Sequence, residues 1–285
     1  MKRRPFAVLA VVAAVFAVAA ATAGAATVTV SPANMDGWAT VHDTCGAPST
    51  GSVDFVNGPA TPPAGVGSVK FTLGTNGDSY ETLRTATYDG AKLSDLTAFD
   101  YWTYVSHSGS GGQAAYIDLY IDNNHDGVKD DTLTFEPVYQ TSQGTVALNV
   151  WQHWDALSGL WWAESTGGPP PLFTLSSYIA SHPDARILNG GGRNVILATG
   201  CGGAAWTGFI GNADKLTIGV KGDNTTYDFE PATAATGKRQ CKNGGWRRST
   251  NPTFKNQGQC VAYANHHNGK GKDDQRAGKK KHGKP

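Results

Sequence analysis

Several things are missing from this 285-residue chain, and each absence removes a class of protein. There are four cysteines and no close CxxC pair, so a structural zinc site of the ribbon or finger kind is not supported. No HExxH spacing occurs, and His107, His125, His153 and His182 are scattered, which leaves no zincin-like metal helix. No Ser-His-Asp or Cys-His set is recognisable from spacing, and the ExDxE carboxylate run of some sandwich-fold glycosidases is absent. Helical periodicity is almost missing; only LSSYIASHP (175–183) reads as a helix, which Pro183 would end. Long apolar runs are missing too, apart from one at the start.

That run belongs to a secretory signal. Lys2, Arg3 and Arg4 precede an Ala/Val stretch from Phe6 to Ala21, and small residues follow through Ala26. A basic start, a short apolar stretch and a small-residue cleavage site define a signal peptide over residues 1–26. The stretch is short for a bilayer span, which needs about 20 residues. The expected mature protein is therefore secreted, extracellular or associated with the cell surface, with no transmembrane segment after cleavage. An oxidising compartment lets disulfides persist. Of the three possible pairings, Cys45–Cys201 and Cys241–Cys260 is preferred, because the second closes a short loop within one segment. Chain entropy assigns roughly 3 kcal/mol to that loop and about 5 to the long one.

The net charge of +1 hides a division. Residues 27–237 carry 8 Lys+Arg against 21 Asp+Glu, whereas residues 238–285 carry 13 against 2. A boundary near 237 follows: a body at 27–237, a cysteine-bounded motif at 238–263 and a basic tail at 264–285. The tail has too little apolar content to pack and is expected to be disordered. Its lysines could attract anionic wall polymers, while nucleic acid is not the expected partner of a secreted chain.

Within the body, short alternating segments such as TVTV, WATVH, GSVDFV, SVKFTL and FDYWTYV are separated by Gly, Pro, Asn and Asp turn formers. The predicted fold is all-β: an antiparallel β-sandwich or jelly roll. Four of the eight tryptophans lie in VWQHWDALSGLWW (150–162). They are either core residues or a glycan-stacking platform. Trp161 and Trp162 are adjacent on a strand and point to opposite faces, so at most one of them is exposed.

SPANMDGW, VDFVNGPATPP, LSDLTAFDYWTYV, GFIGNADKLTIGV and TTYDFEP together resemble a family of secreted bacterial β-sandwich proteins. Their pattern is similar to jelly-roll carbohydrate-binding and concanavalin A-like domains over about residues 27–231. That resemblance implies glycan recognition. CKNGGWRRSTNPTFKNQGQCVAY (241–263) resembles a cysteine-bounded motif at the ends of other secreted bacterial proteins. It is too small for a full core, so its disulfide with Trp246, Phe254 and Tyr263 must hold it together.

The densest chemistry lies between Tyr116 and Glu136. Asp122, Asn124, Asp126, Gly127 and Asp130 match the opening of a calcium loop, with oxygens at positions 1, 3 and 5, a glycine at 6 and the Val128 carbonyl at 7. Leu133 stands where an EF-hand has its bidentate Glu, and Asp131 is the candidate substitute. The alternative is an acidic hairpin turn without metal. In the flanking strands Ile117, Leu119 and Ile121 share one face, and Tyr116, Asp118 and Tyr120 the other. Pairing Ile121 with Leu133 and Leu119 with Phe135 puts Asp118 opposite Glu136 and Tyr120 opposite Thr134. Tyr116, Asp118, Tyr120 and Glu136 would then form a ligand face suited to sugar hydroxyls, or simply a solvated outer face.

The expected function is a secreted, calcium-stabilised protein that binds a glycan or cell-wall polymer without catalysis. One alternative is a polysaccharide-cleaving enzyme, a glycoside hydrolase or lyase, with Asp118 and Glu136 as its catalytic pair. A second is a structural surface protein held by its basic tail.

Overall fold

The structure is a computed structural model that describes residues 25–46, 48–75, 77–188, 192–232, 238–249 and 252–266. The expected signal peptide up to residue 24, and the tail from 267, lie outside the described residues.

The strands in chain order are β1 (Ala26–Val30), β2 (Trp38–Thr44), β3 (Ser52–Asn57), β4 (Gly67–Thr72) and β5 (Ser79–Thr85). Next come β6 (Leu96–His107), β7 (Tyr116–Asp122), β8 (Asp131–Phe135), β9 (Trp151–Asp155) and β10 (Leu160–Ala163). The last are β11 (Phe173–Thr174), β12 (Arg186–Ile187), β13 (Val195–Gly200), β14 (Ile210–Val220) and β15 (Asp223–Phe229). One helix interrupts them, α1 (Leu175–Ser181). Its first turn is capped by the Thr174 hydroxyl, which accepts from the Ser177 amide, and it stops just before Pro183.

Two sheets result. The first has seven strands in the order β1-β15-β14-β4-β3, with β6 on the other side of β14 and β9 beyond it. The second has eight, in the order β11-β10-β8-β7-β13-β5-β2, with β12 also beside β7. All pairs are antiparallel except β1 with β15. The all-β prediction holds.

The core lies between the sheets. Each strand sends alternate residues inward: Ile117, Leu119 and Ile121 from β7, Leu133 and Phe135 from β8, Tyr101 and Phe99 from β6, all buried. Aromatic rings fill the centre, with Phe135 packed against both Tyr101 and Trp161. Trp154, Trp161 and Trp206 are fully enclosed, whereas Trp162, next to Trp161, faces the other way and is half-buried. The indole N–H of Trp161 donates to the Ala156 carbonyl at 2.8 Å and that of Trp154 to Thr103 Oγ1 at 2.8 Å, so both rings are buried without an orphan donor.

The disulfides are Cys45–Cys201 and Cys241–Cys260, as preferred from the sequence. The second, with Trp246, Phe254 and Val261 against it, makes a small separate core. Phe254 also meets the Tyr263 ring at 5.4 Å. Residues 257–266 are helical, and Ala264 is buried in that core.

Candidate functional site

Asp122 closes β7 and organises the loop that follows. Its Oδ1 accepts the amides of Asn124, His125 and Asp126 at 2.5–3.2 Å, and its Oδ2 accepts that of Gly127 at 2.8 Å. Reaching four successive amides requires a tight coil of backbone, and His125 (φ 64°) and Gly127 (φ 84°) supply the left-handed turns. Asn124 Oδ1 and Asp126 Oδ1 each accept the amide two residues on, and Asp130 Oδ2 accepts that of Asn123. Burial pushes the Asp122 carboxyl up, but the four amides outweigh it and hold its pKa below the usual carboxylate range.

Asp131 is used elsewhere. Its carboxylate accepts the Ser165 amide and hydroxyl at 3.0 and 2.6 Å, and Tyr178 OH lies 3.4 Å away. Among the described residues, no three Asp, Glu, His or Cys side chains converge as a metal cage. Oxygen donors of the hard type that calcium takes are present at Asp122, Asn124, Asp126, Asp130 and the Val128 carbonyl. With three amides on Asp122 Oδ1, its Oδ2 is the oxygen with capacity to spare.

The hairpin register differs from the expected one. Ile117 pairs with Phe135, Asp118 with Thr134, Leu119 with Leu133, Tyr120 with Thr132 and Ile121 with Asp131. The loop's internal hydrogen bonds, together with the Asp130 amide donating to the Ile121 carbonyl at 2.8 Å, tighten the turn and move every partner by two positions. An even shift keeps side chains on their faces. The predicted faces survive while the predicted partners do not. Thr134, not Glu136, lies opposite Asp118. Glu136 follows the end of β8 and lies diagonal to it.

The same face departs from expectation in accessibility. Tyr116 and Asp118 are only 5% and 6% exposed, whereas Tyr120 and Glu136 are half-buried. A solvated outer face is therefore not what forms. Asp118 lies at the floor, where Tyr80 OH donates to its Oδ2 at 2.5 Å and Thr134 Oγ1 to its Oδ1 at 2.6 Å. Burial raises its pKa to about 6 despite those two hydrogen bonds and the nearby Arg84 charge. Glu136 is pushed up to about 7 by burial, against the Trp162 indole N–H that donates to it at 2.9 Å, and the Asp118 charge adds to the rise.

Residues distant in sequence complete this face. Asp118 neighbours Ile196 on β13, which neighbours Arg84 on β5. The Arg84 guanidinium sits 5.1 Å from the Tyr80 ring centroid, and its Nε donates to Thr82 Oγ1 at 2.7 Å. At the other side Lys129 reaches Glu164 at 2.7 Å and Thr132 at 3.0 Å, and lies 5.0 Å from the Tyr120 ring centroid. Tyr80, Arg84, Thr134 and Trp162 were not singled out as site residues from the sequence. Only the alternation around Trp161 and Trp162 carried a local signal.

Comparison with known proteins adds little. No protein-family model matches the chain, and no curated protein is significantly similar to it. Among solved structures, an arabinose-bound MgGH51 α-L-arabinofuranosidase overlaps with a TM-score of 0.38 at 10% identity. The overlap covers 66% of this chain and 24% of that one. A likeness this loose carries no argument about activity.

Proposed function

We propose that the protein is a secreted, non-catalytic β-sandwich that binds a glycan or another extracellular polymer on the outer face of β5, β7, β8, β10 and β13. The observation that carries this reading is the grouping of half-buried Tyr120, Trp162 and Glu136 around the hydrogen-bonded floor of Tyr80, Asp118 and Thr134. Aromatic rings offer apolar faces to sugar carbons, and fixed carboxyl, hydroxyl and guanidinium groups offer hydrogen bonds to sugar hydroxyls. A glycan array read with the wild type and with Glu136→Ala tests it. Signal on at least one polysaccharide, lost in the variant and unaccompanied by new reducing ends, is the expected result. No signal on any glycan overturns it.

Calcium in the 122–130 loop is a second, separable element of this proposal. Bound there, the ion would neutralise the loop's carboxylates and brace the β7–β8 turn. Adding calcium should raise the melting temperature and EDTA should lower it. An unchanged melting temperature in both removes the metal and leaves the ligand face standing. In the same reading the basic tail supplies weak attraction to anionic wall polymer, and truncation after Gly237 should weaken wall retention without altering the array.

Polysaccharide cleavage by Asp118 and Glu136 is the alternative. It draws on two carboxyls of raised pKa on one sheet face. Diagonal neighbours on a ladder have backbone positions about 7–8 Å apart; carboxyls that keep such a spacing would suit an inverting mechanism, whose carboxyls stand roughly 6.5–9.5 Å apart. Release of reducing ends with inverted anomeric configuration, abolished in Glu136→Gln, would establish catalysis in place of binding.

A further inference from the structure

The opposite sheet carries a second group of aromatic and polar side chains. On β6, Tyr101 and Thr103 point into the core, so Trp102 and Tyr104 lie on the other face, where Tyr104 is itself buried. On β9, Trp154 is internal while Trp151 and His153 are external. The ladder sets Trp102 beside His153 and Tyr104 beside Trp151. Their ring centroids are 5.2 and 5.6 Å apart. Trp102 and Trp151 are half-buried, and the His153 side chain is 45% exposed.

Three features fix this group in place. The Trp151 indole N–H donates to the Pro59 carbonyl at 3.0 Å, which sets the ring against the loop after β3. His153 Nε2 lies 3.1 Å from Asp100 Oδ1. The β14–β6 register breaks between Asp214 and Thr217, and at that bulge Lys215 adopts φ 50°, a conformation that non-glycine residues avoid. The bulge carries the Lys215 ammonium to 5.8 Å from the Trp102 ring centroid. Among the described residues Lys215 has no carboxylate partner within ion-pair distance, whereas Lys92, Lys129 and Lys221 each have one.

Bulges re-aim side chains at functional places, and local backbone strain persists where something selects it. Here the strained backbone delivers a cation without a carboxylate partner among the described residues, beside the Trp102 indole, onto a body whose overall charge is strongly negative. We propose that the outer face of β6, β9 and β14 is a second saccharide-binding surface, selective for an acidic, uronate-bearing glycan. Trp102 and Trp151 take the sugar faces, Lys215 pairs with the uronate carboxylate, and the Asp100–His153 pair bonds hydroxyls.

The bulge provides an unusual test. Glycine accepts φ > 0 without cost, so Lys215→Gly should leave the melting temperature unchanged or raised while removing the charge. Lys221→Gly is the matched control, since Lys221 has φ 54° but lies in the β14–β15 turn. The full chain is titrated with tetragalacturonate, with an alginate tetramer, and with neutral cellotetraose, following tryptophan indole resonances and heat of binding. An acidic tetramer should shift the Trp102 and Trp151 signals. Its affinity should fall about tenfold in Lys215→Gly, the size expected of one charge-assisted contact, and stay at the wild-type value in Lys221→Gly. Trp102→Ala should abolish binding. The proposal is overturned if neither acidic tetramer shifts these signals, if cellotetraose binds as well, or if folded Lys215→Gly binds like the wild type. Should Trp102→Ala fail to fold, the two lysine variants still decide the matter.

Discussion

Asp118 and Asp122 lie four residues apart on the same strand, and their surroundings push their acidity in opposite directions. Asp118 is enclosed by a sheet face, accepts two hydroxyls and is raised to about 6. Asp122 is held by four backbone amides and is lowered. The difference shows which factor decides: desolvation wins over two hydroxyl bonds, and four amides win over desolvation. One hairpin thus offers a carboxyl suited to staying protonated in mild acid and a carboxylate that stays charged. The first suits a ligand's hydroxyls or a proton transfer, and the second suits a cation or a rigid turn.

The largest effect on this contrast should come from removing what both carboxyls stand on. Ile117 is fully buried beneath the strand, and Ile117→Ala should cost about 2–5 kcal/mol in chemical denaturation.

Next comes pH. Because the folded pKa of Asp118 and of Glu136 lies above the unfolded value, their favourable contribution is complete below about pH 4. It is lost as pH rises through about 6 and 7 respectively. For buried Asp118 the loss is on the order of 3 kcal/mol. The melting temperature should therefore decline between about pH 4 and 7, and Asp118→Asn should make that decline shallower, the remainder coming from Glu136, Asp214 and Asp228, which burial also raises. Asp122 acts with the opposite sign: its contribution is present above the ordinary carboxylate range and is lost as pH falls through its lowered folded value. Asp122→Ala should cost about 1–2 kcal/mol and should speed amide exchange selectively at residues 124–127. A mutant that melts without local exchange would mean the loop does not depend on those amides.

The smallest effect belongs to the hairpin's margin. Lys129 and Glu164 are both substantially exposed, so Lys129→Ala should change stability by about 1 kcal/mol or less, and less still at high salt.

Much of this arrangement is legible in the sequence, in proportion to how local its causes are. Alternation in YIDLYI identified the faces of β7 correctly, because side-chain direction follows from neighbouring residues alone. The short cysteine loop and the end of α1 at Pro183 are equally local. The register of β7 against β8 was missed by two positions, since it depends on how Asp122 folds the loop, and hydrogen bonds between side chain and amide leave no mark on hydrophobic pattern. Tyr80 and Arg84 were invisible for a different reason. They reach Asp118 only through β13, a pairing of strands far apart in the chain. Burial of the polar face is not legible, because alternation separates two faces without saying what large side chains do on the outer one.

The Cys45–Cys201 bond has a consequence for resistance to proteolysis. It joins residues 156 positions apart, so the β7–β8 loop, the proline-rich turn at 169–171 and most other surface loops of the body fall inside a single covalent ring. A protease that cuts once anywhere in that ring opens a circle into a line and releases nothing. The two new ends stay attached through sulfur, held in register by sheets that were never unpaired, and the nicked body remains one molecule.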